Sequence, residues 1–204
     1  MDSLINQFNT ACKQGNLEQV KYLIKNTNLD INIQNNYGYT GFHLACFYGY
    51  LAIVDYCIKN TNININIQDK YGNTGFHYAC LNNHLPIVEF FIKNISLDIN
   101  IQNHYGETGF NYACSNGHLA IVEYCINNTT LDLNIQNNYG NTAFHHACYY
   151  DHLAIVEFCI KDARLNLNIQ NNDGWTAFHY ACYNGNTSLI SLFLNSERLV
   201  GLCK

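Results

Sequence analysis

Basic residues are scarce in this sequence. Ten Lys and Arg stand against fifteen Asp and Glu, for a formal charge of −5 over 204 residues. Lysines such as Lys13, Lys25, Lys59, Lys70, Lys93 and Lys161 occur singly. A surface that binds DNA or RNA needs clustered cations to displace phosphate counterions, so nucleic acid is set aside as a partner. Long apolar runs are missing too. Segments such as Leu51-Ala52-Ile53-Val54 fall far short of the ~20 residues a helix needs to cross a bilayer. The opening Met1-Asp2-Ser3-Leu4-Ile5-Asn6 has no basic segment followed by an apolar one, so no secretory leader is read there. The expectation is a cytoplasmic protein (in the host cytoplasm if it is viral or a translocated effector) with no membrane partner. Asn-x-Ser/Thr matches at Asn94, Asn127, Asn128 and Asn186 carry no weight in that compartment. Signatures of chemistry are absent as well: no nucleophile stands out, no carboxylate pair, no glycine-rich phosphate loop and no Cys-x-x-Cys spacing for zinc. The chain reads as a non-enzyme with no cofactor and no metal.

What the sequence does contain is repetition, which fixes an architecture before any single element does. Thr40-Gly41-Phe42-His43-Leu44-Ala45-Cys46 returns 34 residues later as Thr74-Gly75-Phe76-His77-Tyr78-Ala79-Cys80, and again as Thr108-Gly109-Phe110-Asn111-Tyr112-Ala113-Cys114. Copies at Thr142–Cys148 and Thr176–Cys182 follow, and Phe8-Asn9-Thr10-Ala11-Cys12 is a vestige ahead of the first full copy. Six units fill one domain, 1–204: a capping unit at 1–34, internal repeats at 35–68, 69–102, 103–136 and 137–170, and a capping repeat at 171–204. Irregular ends suit capping units. With 48% hydrophobic residues the chain can bury a substantial core.

Within each unit, Thr40 and its equivalents Thr74, Thr108, Thr142 and Thr176 are N-caps of a short first helix. Phe42, Ala45 and Cys46 sit on one face of it at helical spacing. Gly49 breaks that helix. Leu51 to Ile58 makes a second, amphipathic one with Asp55, or Glu89, Glu123 and Glu157, toward solvent. Asn32-Ile33-Gln34-Asn35-Asn36-Tyr37-Gly38 reads as a hairpin-like finger whose turn is made by Gly38.

These residues resemble the ankyrin family, whose repeat of about 33 residues carries Thr-Pro-Leu-His-x-Ala. The resemblance covers nearly the whole chain and implies an all-α repeat solenoid of helix-turn-helix pairs with short hairpin-like fingers. Departures are regular: Gly41, Gly75, Gly109, Ala143 and Ala177 replace Pro, Phe replaces Leu, and Asn111 replaces one His. Loss of Pro is expected to soften the start of the first helix. The extra residue falls in loops such as Asn60-Thr61-Asn62, after the second helix. The Asn-rich, Pro-poor style resembles ankyrin proteins of amoebae, giant viruses and intracellular bacteria.

Periodicity also assigns the cysteines and histidines. Cys12, Cys46, Cys80, Cys114, Cys148 and Cys182 share one position, and Cys57, Cys125 and Cys159 share another with Phe91 and Phe193. Both columns read as buried thiols in the core. Helices of successive repeats pack ~10 Å apart, too far for the roughly 7 Å limit of a disulfide. His43, His77, His145 and His179 occupy the motif position whose imidazole, by the resemblance, bonds the motif Thr and nearby backbone. His84, His118 and His152 form a separate column. Parallel columns do not converge on a metal or a catalytic base. Asn32, Asn66, Asn100, Asn134 and Asn168 are expected to brace the fingers, and by the resemblance such asparagines can be hydroxylated.

Columns that differ between repeats are free to serve a partner. By the resemblance, partners bind the concave face of finger tips and first helices. That places Tyr39, Phe47, Tyr48, Leu81, Glu107, Tyr149, Tyr150, Trp175 and Tyr183 in the candidate binding surface, rich in the aromatic residues that favour recognition. The expectation is a monomeric scaffold for a protein partner, elongated and held at two aromatic ends. Tyr37, Tyr71, Tyr105 and Tyr139 recur at one finger position and are assigned to packing between fingers. The alternative is a component that assembles with its own copies through exposed ends, where Leu199, Val200 and Leu202 form a sticky cap.

Overall fold

The computed structural model describes residues 2–95 and 97–196. The described residues form twelve helices and no strand. They group into two bodies, one up to Tyr105 and one from Gly106 on. Leu199, Val200 and Leu202, the candidate sticky cap, lie outside the described residues.

The N-terminal body holds α1 (Asp2–Gln14), α2 (Leu17–Asn26), α3 (Gly41–Tyr48), α4 (Leu51–Asn60), α5 (Gly75–Leu81) and α6 (Leu85–Asn94). They form three antiparallel pairs. First helices pack in the order α1, α3, α5, and second helices in the order α2, α4, α6. The C-terminal body repeats the plan with α7 (Gly109–Ser115), α8 (Leu119–Asn128), α9 (Ala143–Tyr149), α10 (Leu153–Cys159), α11 (Ala177–Tyr183) and α12 (Thr187–Leu194). Its first helices stack α7, α9, α11 and its second helices α8, α10, α12. Most of these helices have seven to ten residues, too short to be stable alone in water. Each therefore depends on its neighbours for the apolar surface it buries.

That surface is built from the two repeated columns. Phe42 and Phe76 each lie 6.1 Å from Phe91 edge-to-face, and Phe193 meets Phe144 edge-to-face at 5.8 Å and Phe178 at 5.2 Å. Full burial of each ring contributes about 1.5–3 kcal/mol. Cys12, Cys46, Cys57, Cys80, Cys114, Cys125, Cys148 and Cys159 are buried free thiols. Desolvation raises the affinity of Cys12, Cys46 and Cys148 for the proton, and pushes Cys57 and Cys125 up to about 12. Cys182 departs from its column and is exposed. It sits on α11, the last first helix described, with no further described pair stacked beyond it.

Glycine at the first-helix start answers a packing need as well as lacking proline's rigidity. A β-carbon on Gly41 would lie 2.5 Å from the Phe8 ring and 2.9 Å from Cys12 Sγ. One on Gly75 would meet Cys46 Sγ at 2.8 Å. A phenylalanine where the family has leucine thus fills the space that a proline side chain would occupy. Second helices close through side chains: Asn60 Nδ2 donates to Tyr56 O at 2.9 Å, and Thr61 Oγ1 to Cys57 O. The Asn-Thr loop caps the orphan carbonyls that a glycine turn would otherwise satisfy.

Candidate functional site

The motif Thr and His lock each first helix to the finger that follows it. Thr40 Oγ1 accepts from the His43 N–H at 3.3 Å, and His43 Nδ1 accepts from the Thr40 N–H at 3.1 Å, a reciprocal capping box. Because Nδ1 is an acceptor, the proton sits on Nε2, which donates to Ile67 O at 3.0 Å and Asn73 O at 3.2 Å in the finger that follows. A charged imidazole would turn Nδ1 into a donor facing a donor. Burial also lowers the His43 pKa, outweighing the attraction of Asp69 and the backbone carbonyls. Thr142 and His145 repeat the arrangement, with Nε2 on Trp175 O at 3.2 Å and the pKa again lowered chiefly by burial. Thr74 and His77 form the same buried box. Thr108 forms it with Asn111, whose side-chain oxygen takes the place of Nδ1. In the last repeat Thr176 and His179 keep the box, but His179 is exposed.

Finger geometry comes from an Asn/Asp column that sequence reasoning did not single out. Asn35 Oδ1 accepts from Tyr37 N–H at 2.9 Å and Tyr39 N–H at 3.0 Å, while its own N–H donates to Tyr39 O at 2.8 Å. Asp69, Asn137 and Asn171 make the same Asx-anchored turn. The fingers are therefore side-chain-anchored turns, with no strand ladder among the described residues. The Asn32 column braces the neighbouring loop instead of its own finger. Asn32 Oδ1 accepts from Asn64 N–H at 2.8 Å, and Asn134 Oδ1 from Asn166 N–H at 2.8 Å.

Tyr37, Tyr71, Tyr105 and Tyr139 do not pack finger against finger. Their rings face solvent, those of Tyr37 and Tyr139 at 65% exposure. Backbone does the joining: His104 N–H donates to Tyr71 O at 2.9 Å and Asn172 N–H to Tyr139 O at 3.0 Å. Gln34 Nε2 adds a bond to Gln68 O at 2.7 Å, and Gln136 Nε2 one to Gln170 O at 3.0 Å. With the fingers joined along their backbones, the tyrosine rings are left over.

Each body carries one aromatic cluster on the face made by its fingers and first helices. In the N-terminal body Tyr78 is the hub, with ring centroids 5.8 Å from Tyr39, 5.6 Å from Phe47 and 6.1 Å from His43; Phe47 in turn meets Tyr48 at 5.0 Å. The Tyr78 hydroxyl donates to Asp69 Oδ2. Burial first, then that bond, push its pKa far above the ordinary tyrosine range, so it stays a donor. A cavity of about 250 Å³ opens among Lys13, Tyr39, His43, Leu44, Phe47, Tyr48 and Tyr78.

In the C-terminal body Tyr180 is the hub, 5.3 Å from Tyr149, 5.3 Å from Trp175 and 6.2 Å from His145. Tyr149 meets Tyr150 at 4.8 Å, and Trp175 meets Tyr183 at 5.5 Å. Its cavity, about 180 Å³, is lined by Asn141, His145, His146, Tyr149, Tyr150 and Tyr180. These six stand three repeats after Tyr39, His43, Leu44, Phe47, Tyr48 and Tyr78, so the two cavities are one repeat position realised twice.

The structure thus brings together Tyr39, Phe47 and Tyr48, and separately Tyr149, Tyr150, Trp175 and Tyr183. Tyr48, Tyr149, Tyr150 and Tyr183 are exposed, while Tyr39, Phe47 and Trp175 are half-buried. Leu81 is half-buried at the end of α5, outside both cavities. Glu107 is engaged inside the fold: its carboxylate accepts from Asn137 Nδ2 at 2.5 Å and lies 3.1 Å from His146 Nε2. The hubs Tyr78 and Tyr180 were missed by sequence reasoning. The signal was present, since their column reads Leu44, Tyr78, Tyr112, His146, Tyr180 and varies from repeat to repeat.

Among the described residues no group of three or more His, Cys, Asp or Glu is placed to hold a metal ion, and no helix is long and apolar enough to cross a membrane. A family model of ankyrin repeats in three copies matches residues 8–103 and again 76–169, and a single-repeat ankyrin model matches 173–199. The crystal structure of EF0377, an ankyrin repeat protein, shares the fold with a TM-score of 0.85 at 22% identity, over 95% of this chain and 98% of that one. No curated protein sequence matches. With the repeat, the capping box and the stacked pairs in place, the chain belongs to the ankyrin-repeat family.

Proposed function

We propose that this protein is a non-enzymatic, monomeric scaffold of the cytoplasm that holds a partner protein on its finger and first-helix face, the concave face of the family. Ankyrin repeats are in general protein-interaction modules. One observation carries the assignment to this face. Aromatic rings stand exposed there at positions that differ between repeats: Tyr48 at 40%, Tyr150 at 52% and Tyr183 at 72%. Residues that served the stack would recur in every repeat, as Phe42 and Cys46 do. Rigid amphipathic rings beside a shallow cavity are what interfaces use as anchors.

The test is capture of partners from native lysate with the wild-type protein, with a Tyr150→Ala, Trp175→Ala variant and with a Phe47→Ala, Tyr48→Ala variant. Each is first checked for an unchanged helical circular dichroism spectrum. A partner held by wild type and lost from either variant supports the assignment. Equal capture by all three moves the site off this face.

A further inference from the structure

The two equivalent cavities differ in chemistry, and the difference names a ligand. In the N-terminal body the walls are the rings of Tyr39, Phe47, Tyr48 and Tyr78 with the Leu44 side chain. His43 contributes a neutral edge, because its Nδ1 accepts a backbone N–H and burial disfavours its charge. Lys13 is then the one formal charge in the lining. It stands in the last turn of α1 at the repeat position held by Phe47 in the next repeat, and it is exposed. In the C-terminal body the matching cavity replaces Tyr39 by Asn141 and Leu44 by His146, and Glu107 lies 3.1 Å from that imidazole. Three tyrosine rings remain there, but Tyr39 and Leu44 have polar counterparts and no lysine joins the lining.

Size restricts the occupant. At about 250 Å³ the N-terminal cavity falls below the ~300 Å³ at which pockets begin to hold whole cofactors or drug-sized ligands. It suits one side chain delivered by a polypeptide. Resting on the scaffold reading above, we infer that this cavity takes a large apolar side chain of the partner, with an adjacent carboxylate of the same segment paired to the Lys13 ammonium. The ring walls desolvate the apolar group. The lysine at the edge selects for negative charge and against positive charge.

The probe is a phage-displayed library of random peptides, panned in parallel on the wild-type protein, on Lys13→Glu and on Phe47→Ala with Tyr48→Ala. Enriched peptides are then measured as synthetic fluorescent ligands by anisotropy. Lys13 is exposed, so Lys13→Glu is expected to keep a cooperative thermal unfolding transition, lowered by no more than a few degrees because a carboxylate then stands in the last turn of α1. The expected result is a wild-type consensus in which Asp or Glu neighbours Leu, Ile, Met or Phe. Its affinity falls at least about fivefold on Lys13→Glu and more than about tenfold on the aromatic variant. Panning on Lys13→Glu then selects Lys or Arg beside the apolar residue. Peptides that need Phe47 and Tyr48 but show no acidic neighbour and no response at Lys13 overturn this inference and leave the scaffold reading standing. Peptides indifferent to the aromatic variant, or no enrichment at all, overturn this inference and count against the scaffold reading too.

Discussion

The hydrogen of Gly38 points at the backbone nitrogen of Lys70, which lies 2.5 Å from where a β-carbon would sit. Gly38 has φ +80° and Gly174, in the same finger position, φ +79°, yet nothing lies within 4 Å of a β-carbon on Gly174. One column therefore offers two tests that share a backbone strain and differ in packing. Gly174→Ala costs only the left-handed conformation, ~1–2 kcal/mol. Gly38→Ala adds a clash with the next finger and is expected to lose ~1–3 kcal/mol more. Urea denaturation followed by circular dichroism compares them; equal losses would show that the fingers do not pack this closely.

Finger side chains and finger rings should separate in the same way. Asn137 serves two backbone N–H groups, at Tyr139 and Asn141, and donates to Glu107. Asn137→Ala leaves buried polar groups unmatched and is expected to cost ~2–4 kcal/mol. Tyr139→Ala removes an exposed ring, and its effect stays within about 0.5 kcal/mol. A large loss for Tyr139→Ala in a thermal or urea melt would restore the packing role first assigned to that column.

Stability should fall in mild acid through the motif histidines. Burial lowers the pKa of His43 and His145 in the folded chain, whereas in the unfolded chain each takes its proton near pH 6.5. The unfolded state therefore binds more protons as pH drops below about 6.5. The stabilising difference, complete above that pH, is lost at up to ~1.4 kcal/mol per pH unit for each histidine until the folded value is reached. Asn111 shows that asparagine keeps the capping box, so His43→Asn should fold and flatten the loss between about pH 6.5 and pH 5. A slope unchanged from wild type removes His43 from the account.

Thiol chemistry should be graded by burial. Cys182 is exposed, while Cys57 and Cys125 are buried with their pKa pushed up to about 12. At pH 8 a maleimide followed by peptide mass mapping should label Cys182 within minutes. The eight buried thiols should react only after denaturant is added. Fast labelling at Cys46 or Cys148 in native protein would contradict the packing of the first helices.

How much of this was legible follows from what repetition can and cannot encode. Thr40, Phe42 and Cys46 return every 34 residues, and His43 in all full copies but the one with Asn111, because each repeat meets the same neighbours. Their spacing by itself determined the helix pairs and the buried thiols, while the contact between the motif His and Thr came from the family resemblance that the motif carries. Repetition misled at Tyr37 and its equivalents, since a recurring backbone contact keeps a residue in place whether or not its ring packs. It misled at Cys182 as well, where the column continues but no further described pair covers it. Glu107 could not be separated from a partner-facing acid without knowing that Asn137 and His146 converge on it from 30 and 39 residues away. The sequence thus settled which elements form and in what order. Only the tertiary structure decided which side chains the stack uses up and which it leaves exposed, because that depends on contacts between residues a repeat apart that no local spacing records.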